Sequence, residues 1–298
     1  MTNTYNLLIV GSIPPEGDLK RSTSSVQMFT CLLGEAFQEI GVPTQVVSWG
    51  DLDKVLTTYP TDIVLAHSYH DVYTRHIKPI LLKNPTCWKL SASFMEVLFP
   101  VNLNFVFLDR GWKGNRHVTI PAPCKLDFLT VVPKKPGSIL LDHHWLNGPN
   151  DWTRQIIDVL AQEFQGSREI AKLFVSGMPH PETIKILPKM AFFKYLEETA
   201  AFETFIVTHK GSYNATVIDM LARGIRVLSP EGFVPGYNIR RFGIQTFTTL
   251  EQMIALLKEP YNSEIGGKNR GLCTDMGDAV KIMDSKFKIA LQGMTHGK

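Results

Sequence analysis

The sequence predicts an α/β protein of two Rossmann-like domains followed by a C-terminal amphipathic helix. Three observations carry this. Short apolar runs alternate with helical stripes along the chain, the pattern of parallel sheets covered on both faces. The alternation is interrupted at Pro133-Lys134-Lys135-Pro136-Gly137 and restarts after it, which marks a linker. The tail from 271 to 292 spaces Leu272, Met276, Val280, Met283, Phe287 and Leu291 three or four apart, an apolar stripe on one long helix. The expected division is residues 1–132, residues 133–270, and a C-terminal helix over 271–298 that can pack back on the N-terminal domain.

Each element has a local reason. Tyr5 to Val10 is an apolar run closed by Gly11, the signature of a buried first strand. After a Pro- and Gly-bearing loop, the Ser/Thr cluster at 22–25 caps a helix. Its apolar positions are Val26, Phe29, Leu33, Ala36, Phe37 and Ile40, and Gly41 stops it. Strands follow at Thr44–Trp49, Asp62–Ala66, Asn104–Leu108 and Val118–Ile120, with helices over 51–56 and 71–82. Beyond the linker, Ser138–Asp142, Lys172–Ser176, Phe205–Thr208 and Arg226–Ser229 read as strands. Helices are expected around Trp152–Phe164, 189–200, 213–223 and 249–257.

Composition narrows the function classes. The chain has 298 residues, 44% of them apolar and 20% charged, which suits a soluble globular protein with two ordinary domains. No run is long enough to span a bilayer. The start lacks a basic leader and a cleavage site. Four scattered cysteines without a Cys-x-x-Cys pair argue against a disulfide framework or a structural zinc site, and place the chain in a reducing cytoplasm. A net charge of +3 permits an anionic ligand without demanding one. There is no complete dinucleotide fingerprint and no P-loop lysine motif.

The most informative stretch runs from Phe205 to Ser229: strand, glycine loop, helix, glycine stop, strand. The loop His209, Lys210, Gly211, Ser212, Tyr213 and Asn214 lies at a helix N-terminus, where free N–H groups and the helix dipole suit a diphosphate. Asp219 lies about one and a half turns into that helix and can accept hydrogen bonds from ribose hydroxyls. An ordinary βαβ unit with a solvent-facing Asp219 is the plainer alternative. Arg154 and His143 are the nearest cation and imidazole to the strand at 138–142, and Arg154 or Lys210 would add charge to the diphosphate site.

In the N-terminal half, Asp109 ends an apolar strand, where a carboxylate can act as a general base or cap the following turn. Behind it, Arg110, Trp112, Lys113 and Arg116 interleave cations with an aromatic, a pattern that holds phosphates and stacks a base, or else forms a solvated loop. His67 is a second candidate for base or acceptor contact. His67, His70 and His76 lack the spacing of a compact metal site.

Asp219-Met-Leu-Ala-Arg-Gly224-Ile-Arg-Val-Leu-Ser229 resembles the acidic-residue, glycine and strand signature in the C-terminal domain of GT-B glycosyltransferases. The likeness extends over roughly 138–257, with aspartate where that family usually has glutamate. It implies two domains facing across a cleft. It also implies a nucleoside diphosphate sugar, a UDP-sugar foremost, as co-substrate, with no tightly bound cofactor and no divalent metal required. The helix after Arg21 to Ser25, the segment Gly41 to Trp49 and the strand Phe105 to Arg110 are more distantly similar to phage DNA β-glucosyltransferases. That resemblance implies Asp109 as the base in an inverting transfer. It further implies double-stranded DNA with hydroxymethylated bases as partner, and a host cytoplasm as location. A small-molecule or glycan acceptor stays open, as does a non-catalytic nucleotide- or DNA-binding module of the same fold. A sugar-nucleotide epimerase ranks behind these.

Overall fold

The computed structural model describes residues 5–14, 25–95, 98–106, 116–120, 123–142, 152–173, 181–208, 215–234 and 236–295. The chain divides into two compact units, residues 1–125 with 274–298, and residues 126–273.

The first unit is built on a six-stranded parallel sheet of order β2-β1-β3-β4-β5-β6. Its strands are β1 (Leu7–Gly11), β2 (Thr44–Ser48), β3 (Ile63–His67), β4 (Leu90–Met95), β5 (Leu103–Val106) and β6 (His117–Thr119). β1 is buried along its whole length, as a strand covered on both faces must be. Leu8 and Val10 join Val47, Val64 and Ala66 under α2 (Leu52–Thr58) and under a second helical run over 70–83. That run is α3 (His70–Val72), a π-helical turn (Tyr73–Ile77) and α4 (Lys78–Lys83). On the opposite face lies α1 (Ser25–Glu39), whose Gly34 packs so closely that a Cβ there would come within 2.3 Å of Val46. Phe29, Leu33, Ala36 and Phe37 form its buried stripe, and Gly41 ends it with φ 79°.

β4 escapes a reading of periodicity because Ser91 and Ser93 interrupt its apolar run. Both hydroxyls are satisfied inside the sheet: Ser91 donates to Asn102 at 2.8 Å, and Ser93 donates to Asn104 at 2.7 Å. Each serine therefore tolerates burial.

The tail departs from the expected single helix. α10 (Ser263–Leu272) stops at Cys273, which is extended, and α11 (Met276–Thr295) starts afresh. Between them β14 (Thr274–Asp275) pairs with β7 (Pro123–Cys124). α11 belongs to the first unit and packs along α1. Met276, Val280, Met283 and Phe287 are all fully buried, and Tyr5 donates to Asp284 at 2.7 Å.

The second unit repeats the plan with order β10-β9-β8-β11-β12-β13, again all parallel. Its strands are β8 (Ile139–Leu141), β9 (Ile170–Leu173), β10 (Ile184–Leu187), β11 (Thr204–Ile206), β12 (Arg226–Pro230) and β13 (Gln245–Phe247). α5 (Trp152–Glu163) and α9 (Leu250–Lys258) cover one face through Ile156, Leu160, Met253 and Leu257. The remaining helices are α6 (Phe192–Thr199), α7 (Ala215–Ala222), α8 (Gly236–Phe242) and α10. α10 lies against α7, and a Cβ on its Gly266 would sit 2.8 Å from Gly224 Cα. Its three glycines disguise α10 in the sequence, yet Gly266 is what permits that approach. Lys134, in the expected linker, is tied into this unit. Its ammonium donates to Ala200 O and Arg223 O, each at 2.8 Å, and burial brings it down to about 8.

Among the described residues no helix is long and apolar enough to cross a membrane. None of the four cysteines is in a disulfide.

Candidate functional site

In open parallel sheets ligands sit beyond the carboxyl ends of the strands, where the strand order reverses. In the second unit that point lies between β8 and β11, because the chain leaves β8 towards β9 and returns at β11. Asp142 closes β8, is fully buried, and hydrogen-bonds through its N–H to Ile206 O at 3.1 Å. Lys172 of β9 is also fully buried, with its ammonium on Asp142 O. Thr208 follows β11, and its carbonyl accepts a 3.2 Å hydrogen bond from Thr153 in the first turn of α5.

Asp219 comes to the same unit from α7. It is only 9% exposed, and no donor reaches its carboxyl among the described residues. Burial pushes it up to about 7, against the pull of the Arg223 cation. Arg223 is 1% exposed and spends its donors on Leu196 O, Thr199 Oγ1 and Asp219 O rather than on a carboxylate. Its guanidinium lies 5.5 Å above the Tyr195 ring. Burial raises the Tyr195 phenol against the pull of the Arg223 cation, and the carboxyls of Asp219 and Asp142 add to the rise. Asp142, Lys172 and Thr208 thus stand at the edge where a ligand is expected, and Arg223 ties α7, with Asp219, to α6, with Tyr195.

Arg154, on the first turn of α5, is exposed and lies 3.9 Å from Asp158. His143 and the loop His209, Lys210, Gly211, Ser212, Tyr213 and Asn214 lie outside the described residues, between β8 and α5 and between β11 and α7 respectively.

In the first unit the order reverses between β1 and β3, and the register sets Gly11 beside His67 at their carboxyl ends. His67 is 4% exposed, and its Nδ1 is 2.7 Å from the Thr30 hydroxyl of α1. Its ring stacks on Phe29 with centroids 4.7 Å apart. Burial drops the imidazole to about 3, so it is neutral near pH 7 and poorly matched to taking a proton there. The geometry suits a fixed hydrogen-bonding group. His70 turns to Phe99 at 5.7 Å and His76 stacks on Trp49 at 4.4 Å, so the three histidines diverge. Among the described residues no group of acids, histidines or cysteines is gathered to hold a metal ion.

Arg116 precedes β6 and is exposed; its carbonyl accepts from Asn104 N–H at 2.7 Å. It therefore stands at the amino edge of the sheet whose carboxyl edge holds His67, and the two are not brought together. It lines a hollow of about 530 Å³ with Trp88, Asn102 and His117; another of about 490 Å³ runs along Asn6, Asp62 and Cys87. Both hollows are at the amino edge. The switch-point edge, with its buried polar groups, is the better candidate on chemical grounds. Asp109, Arg110, Trp112 and Lys113 lie outside the described residues.

Sequence reasoning passed over Tyr195, Thr208, Asp142 and Lys172. Only Lys172 carried a signal, a charge inside the apolar strand Ile-Ala-Lys-Leu. The other three acquire meaning only from their neighbours in space.

No protein-family model and no curated protein matches the chain. Solved structures do. Sucrose-phosphate synthase from Thermosynechococcus elongatus aligns over 97% of this chain and 100% of its own, with a TM-score of 0.67 at 10% identity. Anabaena HepE in complex with UDP and glucose aligns over 96% of this chain and all of its own, with a TM-score of 0.65 at 11% identity. The fold is GT-B. Methanocaldococcus jannaschii UDP-GlcNAc 2-epimerase in complex with UDP-GlcNAc and UDP aligns over 88% of this chain and 97% of its own, with a TM-score of 0.56 at 9% identity. The GT-B plan thus houses transfer and epimerisation alike, and the site must decide between them.

Proposed function

We propose that this chain transfers a sugar from a nucleoside diphosphate sugar to an acceptor hydroxyl. The observation that carries the reading is the buried Asp219 on the helix after β11, at the switch-point edge of the second unit of a GT-B fold. A carboxyl sheltered there, with no donor on it among the described residues, suits a sugar or ribose hydroxyl. The fold is aligned from end to end with a protein solved with UDP and glucose, which supports a UDP-sugar as donor.

In this reading the amides of residues 209–214, at the start of α7, take the diphosphate, with Lys210, Arg154 and His143 adding donors and charge. Asp219 takes a sugar or ribose hydroxyl. Asp109 takes the proton from the acceptor as the new bond forms, and the nucleoside diphosphate leaves from the opposite face, which inverts the anomeric centre. His67 positions the acceptor. Charge on the diphosphate is met by the helix terminus and the basic side chains, so no metal is required. The sequence resemblance names a hydroxymethylated base in duplex DNA as acceptor, with Arg110, Trp112, Lys113 and Arg116 on the duplex; glycans and small molecules are the other candidates.

The test is incubation with UDP-, ADP- and GDP-sugars and three acceptor classes: hydroxymethylated and plain duplex DNA, oligosaccharides, and small alcohols. Transfer with release of nucleoside diphosphate is the expected result, and Asp109→Asn should abolish transfer while donor still binds. Epimerised donor without transfer would favour the epimerase that shares the fold. Binding without any turnover would leave a non-catalytic module.

A further inference from the structure

His67 is the last residue of β3, at the switch-point edge of the first sheet. Two consecutive residues of α1 fix its ring. Phe29 stacks on the ring with centroids 4.7 Å apart, and is itself 5.6 Å from the ring of Phe94 on β4. Thr30, fully buried, places Oγ1 2.7 Å from Nδ1. Gly11 makes room for the pair: a Cβ there would lie 2.6 Å from His67 O and 2.8 Å from Thr30 Oγ1. Nε2, which points away from Thr30, has no partner among the described residues.

The imidazole is neutral near pH 7, so one nitrogen carries a proton and the other a lone pair. Thr30 decides which. A threonine hydroxyl inside a helix directs its proton to the carbonyl of the preceding turn and keeps a lone pair for a neighbour. Nδ1–H then donates to Oγ1, and Nε2 is left as an acceptor. We propose that Thr30 is a positioning residue: it holds the Nδ1–H tautomer of His67, so that Nε2 accepts a hydrogen bond from the molecule that receives the sugar. The inference rests on the transferase reading and adds what His67 selects. The reacting hydroxyl gives its one proton to the base, so the hydrogen bond to Nε2 comes from a second group. The favoured acceptors carry a further O–H or N–H beside the reacting hydroxyl, as in a vicinal diol or the amino group of a hydroxymethylated cytosine. The opposite tautomer would present a donor there and select a carbonyl or ether instead.

The experiment joins a spectrum to kinetics. Nitrogen NMR of the full chain, with His67→Gln to assign the signal, should show a protonated Nδ1 and a bare Nε2 at His67. Thr30→Val should move the proton to Nε2, and Thr30→Ser should keep the parental pattern. Transfer from UDP-, ADP- and GDP-glucose is then measured to hydroxymethylcytosine duplex DNA, maltotriose and glycerol, which offer the second donor. Hydroxymethyluracil duplex and propan-1-ol do not offer it, and each should be used at least about tenfold less well than its counterpart. Thr30→Val should raise KM for the preferred acceptor about tenfold, leave KM for the donor sugar unchanged, and be rescued by serine. A proton on Nε2 in the parent overturns the inference, as does a parental tautomer in Thr30→Val. Parental acceptor KM in Thr30→Val, a serine variant no better than valine, or equal use of both members of a pair that reacts overturns it as well, while the transferase reading stands. A parent that transfers to none of these acceptors overturns the transferase reading, and the acceptor contact falls with it.

Discussion

A carboxyl as deeply buried as that of Asp219, with no donor on it among the described residues, holds its proton up to about pH 7, against 3.8 in the open chain. Between those two values the native state binds a proton that the unfolded state has released. The native state gains from this group below pH 4 and loses that gain as pH rises through about 7. At about 1.4 kcal/mol per pH unit the loss is on the order of 4 kcal/mol. Asp219→Asn removes the titration. Relative to the parent it should gain stability from about pH 4 to about pH 7 and level off above that, as read from urea midpoints at each pH. The same variant should bind the donor roughly tenfold more weakly, since an amide is a poorer acceptor of hydroxyl hydrogen bonds than a carboxylate. A gain in stability with a loss in binding is the pattern of a group kept for its ligand. Parallel pH curves for the two proteins would remove Asp219 from the list of strained groups.

Elements show which parts of this molecule local sequence can announce. The β11–α7–β12 run was legible because its parts are contiguous: an apolar strand, a glycine loop, a helix and the stop at Gly224, whose φ is 75°. β4 and α10 were not legible, because what makes them acceptable lies elsewhere in the chain. Ser91 and Ser93 need Asn102 and Asn104, and Gly266 of α10 needs the surface of Gly224. His67 could be read as a strand end, but its partner Thr30 is 37 residues away, and no spacing rule joins them. Tyr195 was hidden for the same reason, inside a helix whose stripe is otherwise unremarkable. Two substitutions test the packing that results. A Cβ on Gly11 would lie 2.6 Å from His67 O and 2.8 Å from the Thr30 side chain, and the carbonyl cannot swing aside. Gly11→Ala should therefore cost about 1–3 kcal/mol in a denaturation experiment and displace the His67–Thr30 pair. Phe287 is fully buried on α11 against Tyr5, Phe37 and Phe105, with ring centroids 5.3 to 6.1 Å away. Phe287→Ala should cost about 3–5 kcal/mol and loosen α11 from the first unit, seen as faster amide exchange along 276–295. Unchanged exchange there would mean that α11 holds without its central ring.

At the scale of the whole molecule, two parallel sheets each offer one switch point, and buried polar groups stand at each: His67 with Thr30 in the first, and Asp142, Lys172 and Thr208 in the second. The acceptor class is the quantity this arrangement leaves to be measured, and net charge offers a way to measure it. At +3 over 298 residues the chain is only mildly cationic, and a DNA acceptor would be gripped by a few local cations such as those around residues 110–116. Each phosphate contact contributes about −0.9 to the slope of log affinity against log salt. Two or three contacts therefore predict a loss of roughly 10- to 40-fold in transfer to subsaturating hydroxymethylated duplex between 50 and 200 mM salt. The target base must also leave the stack to reach a buried site, so a single-stranded or mismatched substrate should be modified faster than a matched duplex. Transfer to an uncharged oligosaccharide depends on none of this and should stay level over the same range. If transfer to DNA proves as flat as transfer to the oligosaccharide, the phosphates are not being held and duplex DNA is not the acceptor. Steep decline with DNA alone would place the cations of residues 110–116 on its backbone and make their substitution the next measurement.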